Sequence, residues 1–587
     1  MKKNPVLKYV GQNWWRYVIG FTSLIVSVAL DICFPLITKS IIDDVIIAGK
    51  TELLWSRLLA IVAVGVGRAI SQYVKEFTFD MVGSKVASRT RKYLFNHIQT
   101  LSRSYFNKNN TGELMARVKD DVDKIWDVFG FIGMLIVEAV LYTVGVVICM
   151  VMLNWKLSVI PLIALPIIAI FAIRLEKKLD KVYDSISEQN AVLNTVAQES
   201  FAGVRTVKSF AREEYELLKF RENNQKYSEL NVEQELVMAK TEPWITFIPK
   251  IMQLLTVLVG GVFVIKGEVG YGIFVAFIQY VNNIVWPMEN IGWLTNAMAS
   301  GIASYKKVDK ILKEEAEIKN ADEPEKIEEL KGNLEFKNVQ YMIDDNVILE
   351  DVSFKVEKGK TLGIMGATGS GKSTIVNLIS RFFDVTNGSI EIDGIDIRKL
   401  SLELVRSNSS VVTQDVFLFS DTIGDNIKLG ARDVMSDYKV RNALEKSQAT
   451  EFVDKLSEGV NTVIGERGVG LSGGQKQRLS IARALAKKAN VLILDDSTSA
   501  LDMETEQAIQ KELSEYKETA KIIIAHRISS VRDADEIIVL ENGKIAERGT
   551  HSELLLKKGL YYSTYEAQYG DYHNALEAMG KEELICR

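Results

Sequence analysis

The chain has 587 residues, of which 47% are hydrophobic and 25% are charged, and its net charge is −5. This composition excludes collagen-like, disordered and disulfide-rich proteins, and the weak net charge gives no argument for nucleic-acid binding. The three cysteines, Cys33, Cys149 and Cys586, are widely scattered. We therefore expect neither a disulfide framework nor a metal cluster, and a reducing compartment for the polar part of the chain.

Long apolar runs occupy the chain up to about residue 300. A membrane-spanning helix needs about 20 apolar residues. Six segments satisfy this length: 17–37, 53–74, 130–152, 156–174, 244–266 and 271–293. The second is the weakest, because Arg57 and Arg68 interrupt it. The first is too long for the apolar region of a signal peptide. The sequence therefore predicts a six-span transmembrane domain over residues 1–305.

The loops between the spans predict the orientation of this domain. Lys2, Lys3, Lys8 and Arg16 precede the first span without any acidic residue, which indicates a cytoplasmic N-terminus, and the acidic turn at 41–51 is expected outside. Insertions of about 55 and 70 residues, rich in charge and helical in pattern, separate spans 2–3 and 4–5. Two antiparallel legs of about 35 residues would reach about 50 Å. We therefore predict long helical extensions into the cytoplasm.

The second half of the chain has a different character. Residues 306–332 form a linker rich in lysine and glutamate. Residues 333–570 alternate apolar strands with helical stretches, which is typical of an α/β domain. Residues 571–587 form a C-terminal tail without a readable pattern.

A phosphate-binding loop lies in this second half. Residues 366–373 have the sequence GATGSGKS, which fits G-x-x-x-x-G-K-[ST], and they lie between an apolar run and a helical pattern as the motif requires. Backbone N–H groups of such a loop surround phosphates, and the helix start adds positive potential. Lys372 would reach the β- and γ-phosphates, and Ser373 would bind Mg²⁺. The predicted ATP site comprises Gly366, Thr368, Gly369, Ser370, Gly371, Lys372, Ser373 and Thr374.

Two further motifs accompany the loop. Residues 491–495 (VLILD) are typical of a strand that is buried on both faces, and Asp495 at its end suits a second contact to Mg²⁺. Residues 471–475 (LSGGQ) open a helical pattern, and small residues at a helix start form an anion site.

The order of these motifs makes the chain resemble a half-transporter of the ATP-binding-cassette (ABC) exporter family, of the multidrug or lipid type. The family-like order continues with Gln414, the segments 465–468 (GERG) and 499–502 (SALD), and His526. The resemblance covers the chain from the first span to about residue 570. It implies an all-α six-helix transmembrane domain with long cytoplasmic extensions, fused to an α/β P-loop nucleotide-binding domain.

The resemblance also implies how the nucleotide is held. In this family two cassettes pair head to tail, and each ATP lies between one chain's P-loop and the other chain's signature. Carried over, Gln414 would sense Mg²⁺ and the attacking water, and His526 would be the switch histidine near the γ-phosphate. The segment 465–468 would face the membrane helices, and residues 111–114 and 200–214 resemble the first and second intracellular loops. The residues implied to contact the partner's nucleotide are Ser472, Gly473, Gly474, Gln475 and Asp502.

Two positions depart from the family pattern. Asp496 stands where the family has the glutamate that polarises the attacking water, and its side chain is one methylene shorter. A displacement of about 1 Å can cost on the order of 10²-fold in rate, so we expect a slow or inactive site at this chain's own P-loop. Ile343 stands where an adenine-stacking tyrosine is usual, and Tyr341 lies two residues earlier at a core position. The signature is intact, and together these features predict one half of an asymmetric heterodimer.

Ionisable residues inside the predicted spans invite a functional interpretation. Asp31 and Glu138 are deep, whereas Arg68, Lys250 and Glu289 are close enough to span ends to snorkel or pair. Some of these groups, with Asn282 and Asn283, are candidates to line a polar cavity.

The predicted function is ATP-driven export of amphipathic small molecules by alternating access, and the predicted location is a bacterial inner membrane. The expected partners are a second half-transporter chain, the lipid bilayer and the substrate, without nucleic acid. The alternatives are a homodimeric exporter, a siderophore-type importer on the same architecture and an ATP-gated channel or sensor.

Overall fold

A computed structural model describes residues 11–327, 329–430 and 435–578, without the side chains of Arg467 and residues 571–578. The predicted basic group Lys2, Lys3 and Lys8, as well as Cys586 and residues 579–587 of the tail, lie outside the described residues. Contacts between residues divide the chain into two units, of which the first comprises Met1–Leu101 and Phe106–Glu315 and the second comprises Ser102–Tyr105 and Ala316–Arg587.

From Trp14 to Lys313 the chain is mostly helical, and its longest helices are far longer than the spans predicted within them. The α-helices are α1 (Trp14–Ser40), α2 (Leu54–Thr100), α3 (Arg103–Lys108), α4 (Thr111–Ala116), α5 (Val122–Asp127), α6 (Gly133–Leu153), α7 (Trp155–Ala202), α8 (Val204–Ser209), α9 (Glu213–Ile265), α10 (Tyr271–Asn283), α11 (Val285–Glu289) and α12 (Ile291–Lys313). Single π-helical turns at Ile41–Ile47, Arg117–Asp121 and Val128–Ile132 and a 3₁₀ turn at Thr51–Leu53 connect some of them. Because helix α1 continues into the first π-helical turn, the predicted outside turn at 41–51 is shorter than expected.

Five helical stretches within the described part of the chain are long and apolar enough to cross a membrane: Trp14–Ile47, Thr51–Thr100, Thr111–Leu153, Trp155–Ala202 and Glu213–Ile265. They contain the first five predicted spans, apart from Lys266 at the end of the fifth. The sixth predicted span, 271–293, is instead divided among α10, α11 and the start of α12. The breaks fall at Ile284 and Asn290, on either side of the short helix that contains Pro287. A proline removes one backbone donor, and its ring clashes with the carbonyl four residues earlier. The sixth predicted span is therefore present as three consecutive helical segments rather than as one uninterrupted helix.

Helices α7 and α9 form the larger of the predicted extensions. They have 48 and 53 residues. At 1.5 Å per residue this is about 72 and 80 Å, well beyond the roughly 40–45 Å of a bilayer with its headgroups. The Gln189 side chain donates to the Asn223 carbonyl at 3.0 Å, and Ser200 Oγ donates to Glu216 at 2.8 Å. The two legs therefore lie side by side, and α8 joins them at the tip.

The second unit contains two sheets. Its strands are β1 (Leu334–Ile343), β2 (Asn346–Val356), β3 (Thr361–Gly366), β4 (Asn387–Ile392), β5 (Ile395–Asp396), β6 (Ser409–Val412), β7 (Val491–Asp495), β8 (Ala520–Ile524), β9 (Glu536–Glu541) and β10 (Lys544–Gly549). The first sheet has the order β2-β1-β4-β5 with antiparallel neighbours, and the second has the order β10-β9-β3-β8-β7-β6. In the second sheet only β10 is antiparallel to its neighbour. The carboxyl ends of the parallel strands therefore meet at one edge of this sheet.

Nine helices surround these sheets within the described residues of this unit. They are α13 (Lys372–Ile379), α14 (Leu402–Asn408), α15 (Ile423–Lys428), α16 (Asp437–Lys446), α17 (Thr450–Asp454), α18 (Gly473–Ala486), α19 (Met503–Ser514), α20 (His551–Lys557) and α21 (Leu560–Ala578). The last of them extends into the predicted tail. Helix α12 likewise enters the predicted linker, because Val308 and Ile311 are buried on the helix face that continues to Lys313.

Candidate functional site

The P-loop follows strand β3 at the edge where the parallel strands end. Gly371 has φ +103°, and a Cβ atom there would lie 2.5 Å from Leu349 Cδ2. Gly366 has φ +149°, and a Cβ atom there would lie 2.4 Å from the Leu540 carbonyl oxygen. Only glycine fits both positions, because the backbone there has positive φ and passes close to Leu349 and Leu540. Helix α13 begins directly after Gly371.

Two buried polar groups of this loop are suited to phosphate. The Lys372 side chain is 7% exposed, and its ammonium donates to the carbonyls of Gly366 and Ala367 at 2.7 and 2.8 Å. Burial lowers the pKa of Lys372, against the opposing charges of Asp495 and Asp496. Ser370 Oγ is buried without a hydrogen-bond partner among the described residues. A buried hydroxyl and a buried ammonium at a helix start fit an anionic oxygen ligand.

Asp495 and Ser373 form the part of the site that suits a cation. Asp495 ends the fully buried strand β7, and Ser373 hydrogen-bonds to its carboxylate. Burial raises the pKa of Asp495, while the hydrogen bond from Ser373 opposes that shift. A carboxylate and a hydroxyl beside a phosphate loop are the oxygen ligands that Mg²⁺ takes. The residues present therefore fit Mg²⁺ bound together with a nucleotide.

Asp496 sits on a backbone that hydrogen bonds hold on both sides. Its φ is +45°, its N–H donates to the Ile524 carbonyl at 2.9 Å, and its carbonyl accepts from Ser499 Oγ at 3.0 Å. Asp496 and His526 both lie close enough to Asp495 to influence its pKa. The structure thus places Lys372, Asp496 and His526 near Asp495.

Sequence reasoning missed two residues that hold the loop carrying His526. The Gln568 side chain, on α21, donates to the His526 carbonyl at 2.7 Å and accepts from the Ile528 N–H at 3.0 Å. Glu506, which is 2% exposed, accepts from Thr498 Oγ1 at 3.0 Å and from Ser530 Oγ. Glu506 follows the SALD segment by one helical turn and could have been noticed there. Gln568 gave no local signal, because it lies far from His526 along the chain.

The signature starts helix α18 with a capping box. Ser472 Oγ accepts from the Gln475 N–H at 3.3 Å, and the Gln475 side chain accepts from the Ser472 N–H at 2.9 Å. The helix buries Leu479 and Ala482 in a cluster with α15 and α16, whereas α13 belongs to the cluster around β1, β3 and β7. The signature and the P-loop are therefore built on different parts of the unit.

The remaining predicted residues occupy varied positions. Gln414 is exposed just after β6. At the P-loop, Thr368 is exposed and Thr374 is half-buried. Asp502 caps α19, and its carboxylate accepts from the N–H and the hydroxyl of Thr505, which lowers its pKa. The remaining signature residues, Gly473 and Gly474, start α18.

The two candidate adenine-contacting residues differ in accessibility. Tyr341 is buried beside Phe383, with ring centroids 5.7 Å apart, and burial raises its pKa. Ile343 is 46% exposed at the end of β1. The exposed side chain at this strand end is therefore aliphatic, and the tyrosine belongs to the core.

The first unit contains a polar cavity of about 520 Å³ between helices α1, α2, α6 and α10. Arg68 pairs with Asp31 at 3.0 Å, and the buried Lys75 ammonium contacts both oxygens of Glu138 at 2.8 and 2.9 Å. Asn282 and Asn283 also line this cavity, as predicted for some of these groups. Lys75 lies one residue beyond the predicted second span, 53–74, so the apolar pattern does not mark it as a group inside the membrane.

Comparisons with known proteins agree with this architecture. Residues 17–288 match the ABC transporter transmembrane region family, and residues 349–499 match the ABC transporter family. The chain therefore belongs to the ABC exporter half-transporters, in which a helical membrane domain is fused to an α/β ATPase domain. It binds ATP, couples ATP hydrolysis to export and acts as part of a dimer in a membrane.

Particular relatives are similar over nearly their whole length. An ATP-dependent lipid A-core flippase of Syntrophus aciditrophicus is 32% identical, over 96% of this chain and 94% of the relative. A putative multidrug export ATP-binding/permease protein, YgaD of Bacillus subtilis, is 35% identical, over 96% and 97%. The structure of a bacterial Atm1-family ABC exporter with ATP bound has a TM-score of 0.79 and 26% identity, and the match covers 94% of this chain and 98% of that one.

Proposed function

We propose that this chain is the slow-site subunit of a heterodimeric exporter that moves amphipathic small molecules across a bacterial inner membrane. Its N-terminus and cassette lie on the cytoplasmic side in this proposal. Its signature completes the partner's ATP site, and the partner's signature completes the site at Lys372. Bacterial relatives named for lipid and multidrug export support the substrate class and the membrane.

The observation that carries this proposal is the combination of an intact signature with Asp496. The backbone at Asp496 is held by Ile524 and Ser499, so a local shift that would restore the reach of a glutamate would break these hydrogen bonds. A misplaced base slows the attack of water on the γ-phosphate, whereas nucleotide binding depends on other residues. The chain is therefore expected to bind ATP well and to hydrolyse it poorly at its own P-loop.

Each predicted site residue has a role in this proposal. Lys372 and the N-terminus of α13 would bind the β- and γ-phosphates, and Ser373, Asp495 and Gln414 would hold Mg²⁺. When bound, Mg²⁺ neutralises charge that develops on the phosphate oxygens. His526 contacts the γ-phosphate, and Asp496 accepts a hydrogen bond from the attacking water.

The experiment that tests the proposal uses the chain alone in nanodiscs. We expect Mg-ATP binding with almost no turnover, and turnover on addition of a partner subunit that has glutamate at the position equivalent to Asp496. Clear turnover of the chain alone, abolished by Lys372→Ala, would instead establish the homodimeric alternative. In inverted vesicles, whose cytoplasmic face is outside, ATP-driven uptake of ethidium supports export. ATP-driven release of ethidium from the vesicles would indicate an importer. Flux only down the ethidium gradient would indicate a channel.

The ion pair of Arg68 with Asp31 in the membrane cavity predicts that removing the acid impairs transport. Asp31→Asn leaves the Arg68 guanidinium without its carboxylate partner at 3.0 Å, and an uncompensated charge inside a membrane span costs about 2.5–3.5 kcal/mol. We expect ATP-driven ethidium transport by the assembled exporter to fall at least about tenfold while ATP binding is unchanged. The matched control is Glu268→Gln, which removes the acid of the exposed pair with Lys156 at 3.1 Å. Equal transport by both variants would exclude this cavity from the substrate path.

The contacts of Gln568 predict a defect in turnover. Gln568→Ala removes two hydrogen bonds that hold the backbone on either side of Arg527, each worth about 0.5–1.5 kcal/mol. We expect ATP turnover of the assembled exporter to fall about tenfold with unchanged ATP affinity. Glu566→Ala, an exposed change on the same helix, is the control. An equal loss of ATP turnover in both variants would show that the substitutions disturb helix α21 as a whole and not the loop that carries His526.

A further inference from the structure

A second polar pocket lies in the first unit where the start of α1 meets α2. It has a volume of about 440 Å³. Its lining residues are Gln12, Asn13, Arg16, Lys85, Ser88 and Arg89. Among the described residues that line the pocket, three side chains are cationic and none is acidic. Lys85, Ser88 and Arg89 are spaced i, i+3 and i+4, so they share one face of α2.

The position of the pocket along the helices places it at one edge of the bilayer. From Leu54, where α2 begins, to Lys85 is a helical rise of about 46 Å at 1.5 Å per residue. This rise matches the roughly 40–45 Å thickness of a bilayer that includes its headgroups. Trp14 and Trp15, at the start of α1, are 65% and 49% exposed, and tryptophan is enriched at membrane interfaces. The pocket therefore lies at headgroup depth, at the end of the spans opposite the turn that joins α1 to α2.

The pocket also contains an unsatisfied donor. Arg16 Nε is buried without a hydrogen-bond partner among the described residues, although its guanidinium lies 5.0 Å from the centroid of the Trp15 ring. A buried N–H group without an acceptor is costly, and an anionic oxygen would satisfy it. Arginine and lysine together supply planar and point-charge donors for a phosphate group.

We propose that this pocket binds the phosphate of an anionic phospholipid in the leaflet that the proposed orientation makes cytoplasmic. This assignment of the leaflet rests on the proposed function, whereas the binding itself does not. The depth of the pocket and the exposed tryptophans beside it favour a lipid headgroup over a soluble phosphate. A neutral headgroup with its own ammonium would place a like charge beside Arg16, Lys85 and Arg89, so the pocket selects phosphatidylglycerol over phosphatidylcholine.

The test titrates lipid into the purified full chain in detergent and follows the melting temperature. A ligand that binds the folded state raises the melting temperature in a concentration-dependent manner. We expect stabilisation by phosphatidylglycerol but not by phosphatidylcholine. A basic residue near an anionic lipid surface contributes about 1 kcal/mol, so Lys85→Gln should raise the half-saturating lipid concentration about fivefold. The triple variant Arg16→Gln, Lys85→Gln, Arg89→Gln should raise it on the order of 100-fold.

The matched control is Lys92→Gln, which makes the same chemical change two turns further along α2. Lys92 is exposed and lies about 10 Å beyond Lys85 at 1.5 Å per residue. An equal shift for Lys92→Gln, or equal stabilisation by phosphatidylcholine, would overturn the proposal. Equal protection by inorganic phosphate would overturn the lipid assignment and indicate a soluble anion. Because the readout requires neither ATP nor transport, failure of the proposed exporter function would not change it.

Discussion

Replacing Asp496 by glutamate is expected to raise ATP hydrolysis at this chain's own P-loop on the order of 10²-fold. The added methylene carries the carboxylate toward the water that attacks the γ-phosphate. The hydrogen bonds from the Asp496 N–H to Ile524 and from Ser499 to the Asp496 carbonyl keep the backbone where it is. The gain in reach is therefore not lost by relaxation of the chain.

The measurement is single-turnover hydrolysis by the dimer that carries the variant, with Asp496→Asn as the control. The asparagine variant keeps the size of the side chain and removes its charge, so its rate should lie at or below that of the unmodified chain. Because φ is +45° at this position, where aspartate and asparagine are tolerated better than most residues, the melting temperature must be followed as well. A folded glutamate variant with an unchanged rate would contradict the slow-site assignment.

Replacing Lys372 by alanine is expected to weaken ATP binding on the order of 10²-fold, because hydrogen bonds from a charged donor contribute about 1.5–3 kcal/mol each. In the Asp496→Glu background the same change should return hydrolysis to its baseline. Lys360→Ala is the control, since Lys360 forms an exposed pair with Asp535 at 2.9 Å and lies outside the phosphate loop. Binding of a fluorescent ATP analogue measures the effect, and equal affinities of the two variants would contradict the role of Lys372.

The same lysine predicts a pH dependence. Burial lowers the pKa of Lys372, so its ammonium is lost at a lower pH than that of an exposed lysine. ATP affinity should therefore fall as the pH rises through this lowered pKa, and Lys372→Ala should remove that dependence. The stability of the fold should change with pH in the opposite direction. The buried charge of Lys372 destabilises the folded state at neutral pH, and this cost is relieved as the pH rises. Measuring affinity and melting temperature over the alkaline range distinguishes the two effects.

The sequence was sufficient for the architecture and for locating the phosphate loop, because both depend on local patterns. Span length is set by bilayer thickness, and five of the six predicted spans lie in helices long enough to cross a membrane. The P-loop needs glycines at fixed spacing before a helix, and the structure shows positive φ and close backbone contacts at Gly366 and Gly371. Asp495 is likewise visible as an acid at the end of an apolar strand.

Contacts between distant segments required the tertiary structure. The pairing of Asp31 with Arg68, the burial of Lys75 against Glu138 and the two hydrogen bonds of Gln568 each join residues from separate helices or loops. The interruption of the sixth span around Pro287 also escaped the apolar pattern, because hydrophobicity reports burial in lipid and not the continuity of backbone hydrogen bonds. Residue type and spacing define local chemistry, whereas the partner of a charged or polar side chain depends on how the helices pack.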